Sequence, residues 1–169
     1  MRVLAIDPGN TESAYAYVDA EWLAPIQVGK IPNDELMCVM DGSYADRCAI
    51  EMVASYGMPV GADVFETCVW AGRFFQQWEQ GRAWMLDRHD DAPQLVYRRD
   101  VKLHHCGSVR AKDANVTQAL IDRFAPNTPN KGKGTKADPG WFYGFKADIW
   151  QAYALAVYVA DSTRVATNA

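Results

Sequence analysis

The sequence predicts an α/β protein, a mixed β-sheet flanked by α-helices. Two observations carry this reading. Three short strand-like runs open the chain with no helix between them. Later strands then alternate with stretches of helical periodicity, and an Ala-rich helix closes the chain. At 169 residues the simplest organisation is one domain spanning 1–169, long enough for a real core. Apolar residues make up 49% of it, which is a globular composition and not a disordered one.

Val3, Leu4, Ala5 and Ile6 form an apolar run that ends on Asp7. Pro8-Gly9-Asn10-Thr11 turns the chain at once, so the run reads as a buried strand. Ser13 to Val18 alternates polar and apolar residues and reads as the returning strand. Leu23 to Ile31 predicts a third strand, placed at an edge by Pro25. Asn33-Asp34 is a cap signal for a short helix over Glu35 to Met40. Cys48 to Val53 reads as a buried strand with Glu51 inside it, and YGMPVGAD as the loop after it.

Asp63 is a cap signal for a long helix ending near Gly81, with Val64, Phe65, Cys68, Trp70, Ala71, Phe74, Phe75 and Trp78 at helical spacing. Leu95 to Tyr97 is a short strand, and Asp100 starts a helical turn. The next helix begins at Asp113, with Val116, Ala119, Leu120 and Phe124 on one face. Residues 126–140, PNTPNKGKGTKADPG, predict a mobile basic loop. Ala147 to Val159 reads as a buried helix whose small residues let it lie close to a sheet.

Composition limits the function classes. The net charge of -4 gives no global signal for nucleic acid, although a local basic face can act alone. Cys38, Cys48, Cys68 and Cys106 are scattered without a CxxC pair, which fits reduced thiols and neither a disulfide frame nor a zinc site. No apolar stretch reaches the length of a membrane span, and the first residues lack the apolar region of a signal peptide. The expectation is a soluble, cytoplasmic protein with no membrane partner.

Three acids stand in apolar surroundings: Asp7 at a strand end, Glu51 within AIEMV, and Asp148 at the start of the last helix. Asp at a strand end often serves a turn, and Asp at a helix start complements the helix dipole. A Glu inside a buried strand is costly and harder to explain structurally. Brought together, the three would repel unless cations neutralised them, which points to Mg²⁺ or Mn²⁺.

The stretches AIDPGNTESAYAYVD, AIEMV and KADIWQAYALAVYVAD together resemble the RuvC-like Holliday junction resolvases of the RNase H-like superfamily. VKLHHCGSVRAKDANVTQALIDRF resembles phage-borne members in particular. The resemblance covers most of the chain. It implies an RNase H-like fold, a homodimer, and a phage or prophage source acting in the host cytoplasm. It implies a crossover junction endodeoxyribonuclease that resolves Holliday junctions or related branched DNA in recombination and repair. Two Mg²⁺ or Mn²⁺ ions per site would serve the hydrolysis, with no small-molecule cofactor and no protein nucleophile. Carried over, Asp7, Glu51 and Asp148 are catalytic metal ligands, with Asp7 bridging the ions, and Lys112 stands near the scissile phosphate. One departure is visible. The family often has a second acid one helical turn along the last helix, where this chain has Gln151. Asp161 lies too far along that helix to substitute, about 20 Å from Asp148.

DNA affinity is expected from basic residues elsewhere. Arg98, Arg99, Lys102, Arg110 and Lys112 gather in one stretch; Lys131, Lys133 and Lys136 line the loop, and Lys146 lies beside Asp148. His104 and His105, read on an extended segment, point to opposite faces and cannot share an ion. Tyr56, Met58 and Pro59 form a candidate wedge for a junction. The aromatic helix of Asp63 to Gln80 has apolar surface to spare for a dimer interface.

Three rival readings exist. The first is the actin and sugar-kinase ATPases, which share Asp-x-Gly-x-Thr but need a second phosphate loop and far more chain. The others are a nuclease for forks, flaps or RNA–DNA hybrids, and a non-catalytic branched-DNA-binding protein.

Overall fold

The computed structural model describes residues 1–55, 57, 59–82 and 92–167. Strands β1 (Arg2–Asp7), β2 (Glu12–Asp19), β3 (Pro25–Pro32), β4 (Arg47–Met52) and β5 (Gln94–Tyr97) form one sheet in the order β3-β2-β1-β4-β5. The first three are an antiparallel meander, and β4 and β5 run parallel to β1 and β4 respectively. Pro25 opens β3, an edge strand, where its missing N–H costs no ladder bond.

Helices α1 (Asn33–Gly42), α2 (Ala62–Arg82), α3 (Arg98–Cys106), α4 (Asp113–Phe124) and α5 (Ile149–Thr167) cover both faces. The two-residue strand period sorts the core. Val3, Ala5, Ala14, Ala16, Val18 and Ala49 face α5, with Val101 of α3 and Val116 and Leu120 of α4 behind. Leu4, Ile6, Tyr15, Cys48 and Ile50 face α1 and α2. Four of the six side chains on the first face are alanines. They meet Ala152, Ala156 and Ala160 of α5, so this helix lies flat on the sheet centre.

Several expectations are corrected. Asn33 does not cap α1. Pro32 occupies the cap position without a side-chain bond, and the buried Asn33 side chain turns toward the β1–β2 turn. Asp63 lies inside the first turn of α2 and not ahead of it, and α2 runs through Gly81 to Arg82. Its aromatic stripe splits: Ala71, Phe74 and Trp78 enter the core, whereas Phe65 is 61% exposed.

His104 and His105 are helical, not extended. In α3 only Val101 is buried. The helix ends at Gly107 (φ 66), whose N–H donates to the Leu103 carbonyl at 2.8 Å. Both histidines tie α3 to α5: His104 Nε2 lies 2.9 Å from Asp161 Oδ2, and His105 Nε2 donates to the Ala154 carbonyl at 2.9 Å.

Within 126–140 the chain forms a 3-10 turn over Pro129–Gly132 and a bridge between Gly134 and Pro139. Gly132 is buried at φ 71, where a Cβ would collide with that of Ala125. Tyr56 and Met58 lie outside the described residues, and Pro59 is exposed. No described helix is long and apolar enough to cross a membrane.

Candidate active site

The turn that carries Asp7 is clasped from below. Ser13 is fully buried and donates through Oγ to Asn33 Oδ1 at 2.6 Å. The same hydroxyl accepts the Gly9 N–H at 3.1 Å, and Asn33 Nδ2 donates to the Gly9 carbonyl at 3.0 Å. Any Cβ on Gly9 would collide with the Glu12 carbonyl oxygen. This answers why Pro-Gly follows Asp7: the backbone closes tightly, and two buried side chains lock it.

Sheet register then gathers the acids. Ile6 pairs with Ile50 in the parallel ladder, so Asp7 and Glu51 follow it side by side at the same sheet end. Both belong to the α5 face. Asp148 immediately precedes α5, where its carbonyl accepts the Gln151 and Ala152 N–H groups. Asp7 lines two adjoining clefts, one shared with Glu51 and the other with Asp148. The three predicted acids therefore converge on Asp7 from two sides. Gln151, one turn along α5, is buried.

Cations occupy both sides. Arg98, the first residue of α3, places Nη1 2.6 Å from Glu51 Oε1 and 3.8 Å from Asp7 Oδ2. Its Nη2 and Nε reach Asp113 at 3.0 and 3.3 Å. On the other side Lys30 Nζ lies 2.5 Å from Asp148 Oδ2. Asp7 pairs with Ala14 across β1–β2 and Ala14 with Lys30 across β2–β3, so the lysine extends over a small side chain in the same row. Lys102 pairs with Asp113 at 3.3 Å.

The electrostatics follow from this packing. Burial, and then the neighbouring Glu51 charge, push the Asp7 carboxyl well above the usual range, against the pull of Arg98. Burial also raises Glu51, again opposed by Arg98. The hydrogen bond to Asp148 raises Lys30. For Arg98 burial acts downward, but Glu51, Asp113 and Asp7 outweigh it and hold the guanidinium charged.

The donor set is all oxygen and suits hard divalent cations. Among the described residues no three acidic, histidine or cysteine side chains stand close enough to form a closed cage for one ion. The arrangement is two half-sites sharing Asp7: Asp7 with Glu51, and Asp7 with Asp148.

The remaining predicted basic residues are not among the described residues that line these two clefts. Arg110 and Lys112 are exposed on the α3–α4 turn, where the Lys112 N–H donates to Asn115 Oδ1 at 2.9 Å. Lys131, Lys136 and Lys146 are exposed and Lys133 is half-buried.

No protein-family model and no curated protein matches the sequence. Solved structures do. Thermus thermophilus RuvC aligns with a TM-score of 0.64 at 15% identity, over 99% of this chain and 98% of that one. The chain has the RNase H-like fold of RuvC. A second match is T. thermophilus RuvC in complex with Holliday junction substrate, with a TM-score of 0.61 at 15% identity, over 99% and 97% of the two chains. Neither match bears on a phage or prophage source.

Three participants escaped the sequence reading within this RuvC-like fold: Lys30, Asp113 and the true position of Arg98. Arg98 was grouped with residues expected to face DNA. Its signal was its place two residues after Val96, which pairs with Glu51. Lys30 carried no local signal, because only the register across three strands brings it to Asp148.

Proposed function

We propose that this protein is a divalent-metal-dependent endonuclease acting on branched DNA, with the four-way junction as its substrate. The observation that carries the reading is the convergence of Asp7, Glu51 and Asp148 from β1, β4 and the start of α5. This lies at one end of a sheet whose fold matches RuvC over almost the whole chain. The RuvC complex with a Holliday junction adds a relative of the same fold on that substrate.

Asp7 and Glu51 would hold one Mg²⁺ or Mn²⁺, and Asp7 and Asp148 a second. When bound, the two ions would activate water and stabilise the leaving 3′ oxygen of the phosphodiester. The protein's own contribution is placement. The clasped turn fixes Asp7, the parallel ladder fixes Glu51, and the first turn of α5 fixes Asp148. Lys102, Arg110 and Lys112 would meet phosphates along α3 and the α3–α4 turn, and Lys131, Lys133, Lys136 and Lys146 along the loop before α5. Symmetrical cutting requires two sites, and the exposed Phe65 and Val69 of α2 offer an apolar face for a second copy.

The deciding experiment is cleavage of a labelled four-way junction beside a fork and a linear duplex, with Mg²⁺, Mn²⁺ or EDTA. Paired symmetrical nicks confined to the junction and abolished by EDTA are expected. Equal cutting of forks would retain the metal nuclease and remove junction selectivity. Binding without cutting in either metal would leave a non-catalytic junction-binding protein.

A further inference from the structure

Arg98 sits where a resident cation would be least expected if the site only awaited metal. Its guanidinium cannot lose its proton, so it is a permanent positive charge. It lies within 3.8 Å of both acids of one half-site and within hydrogen-bonding distance of Glu51. Its other arm is anchored on Asp113. Asp113 is itself held by Lys102 and is half exposed. The guanidinium therefore bridges the half-site and the rim: its shorter bond is to the more buried Glu51, and the half-exposed Asp113 holds its other arm from outside. A divalent ion entering between Asp7 and Glu51 would compete with Nη1 for the same oxygens. Two cations on one pair of partly buried carboxylates repel strongly. Rotation about the Asp113 pair would relieve this, turning Nη1 toward the neighbouring cleft lined by Arg99, Asp100, Lys102 and Val109, where Asp100 offers a carboxylate.

We propose that Arg98 is a displaceable counter-cation. In the metal-free protein it stands in for the ion between Asp7 and Glu51. Ion entry breaks its bond to Glu51 while Asp113 retains it at the rim. Arg98 is a positioning residue in this scheme, with no contact to the reacting atoms. The inference rests on the metal-dependent reading of the site.

Calorimetric Mn²⁺ binding to the full chain tests it, with no DNA present. Arg98→Met keeps the aliphatic volume and removes the charge. It is expected to bind Mn²⁺ about tenfold more tightly or better, the scale of one competing charge at a partly buried site. Arg98→Lys keeps a charge but loses the two-armed hold on Asp113, and guards against loss of fold in the methionine variant. It is expected to bind about threefold more tightly than wild type. Thermal melting gives a second readout: Mn²⁺ should raise the melting temperature of Arg98→Met more than that of wild type.

If wild type binds Mn²⁺ in a manner lost in Asp7→Asn, yet neither Arg98 variant binds more tightly, the counter-cation role is wrong and the metal site stands. If the two variants gain equally, charge competition is not the cause and the role is again wrong. If neither wild type nor Arg98→Met binds Mn²⁺, both this role and the metal-dependent nuclease fall.

Discussion

Replacing Asn33 by Ala tests whether the clasp under the β1–β2 turn holds Asp7 in place. Asn33 is 1% exposed and makes two side-chain bonds, one from Ser13 and one to the Gly9 carbonyl. Each is worth about 1 kcal/mol net, and leaving a buried partner unpaired adds about 1–3 kcal/mol. Ala is the better helix former at the start of α1, which returns only about 0.5 kcal/mol. The balance is a loss of about 2.5–4.5 kcal/mol. For a chain of this size that corresponds to a fall in melting temperature of roughly 5–15 °C. Circular dichroism melts at neutral pH measure it. Ser13→Ala and the double variant complete a cycle in which the two losses should fall short of additive by about 1 kcal/mol or more. A fall under about 2 °C, or strict additivity, would show that the three groups do not act as one network.

Other expectations concern the acids, the loop and α3. Asp7→Asn should abolish metal-dependent junction cleavage while retaining junction binding in a gel-shift assay, because it removes the ligand shared by both half-sites; normal turnover would remove Asp7 from the site. Changing Lys131, Lys133 and Lys136 together to Ala should weaken junction binding and reduce the slope of log K against log salt by up to about 3. An unchanged slope would take the loop off the DNA. Gln151→Asp should tighten Mg²⁺ dependence in a cleavage titration, since it adds a charge one turn from Asp148; an unaltered Mg²⁺ requirement would show that Gln151 lies outside the metal shell.

Burial holds the His105 imidazole down to about 4, against about 6.5 in an unfolded chain. Between those values the unfolded chain binds more protons. His105 therefore favours the fold fully above about pH 6.5, and this support is lost as pH falls toward 4, by at most about 3 kcal/mol. Urea unfolding of His105→Gln across that range should show a shallower acid limb than wild type.

Most of the sheet and the three acids were legible because their signals are local. A buried Glu inside AIEMV is anomalous whatever surrounds it, and Asp-Pro-Gly after an apolar run marks a strand end. The alternation of alanines through β1, β2 and β4 matched the Ala-rich last helix, so their contact could be anticipated. What escaped depends on register or on packing between distant elements. Asn33 looked like a cap by sequence, but burial beneath the turn gave its amide better partners than its own helix. The α3 helix showed only as a helical turn at Asp100, and the reach of His104 and His105 to α5 depends on packing between helices that no local signal carries.

The basic residues show how far a sequence can sort charge. Arg98, Lys102, Arg110 and Lys112 looked equivalent along one stretch. In the fold Arg98 turns inward to Glu51 and Asp113, and Lys102 follows it to Asp113, while Arg110 and Lys112 remain exposed. Lys30, from a strand with no chemical signature, neutralises Asp148. Asp7, Glu51, Asp113 and Asp148 are thus held by Arg98, Lys30 and Lys102, leaving close to one negative charge in the cluster when all the acids are ionised. Such a site is nearly silent to a distant phosphate. Long-range attraction for DNA, on the proposed function, would then come from the exposed basic residues on the α3–α4 turn and the loop before α5. The inward cations instead keep clustered acids compatible with a folded, metal-free protein. Placement and not composition divides these two tasks, which is why a chain of net charge -4 can still present basic surfaces around an acidic centre.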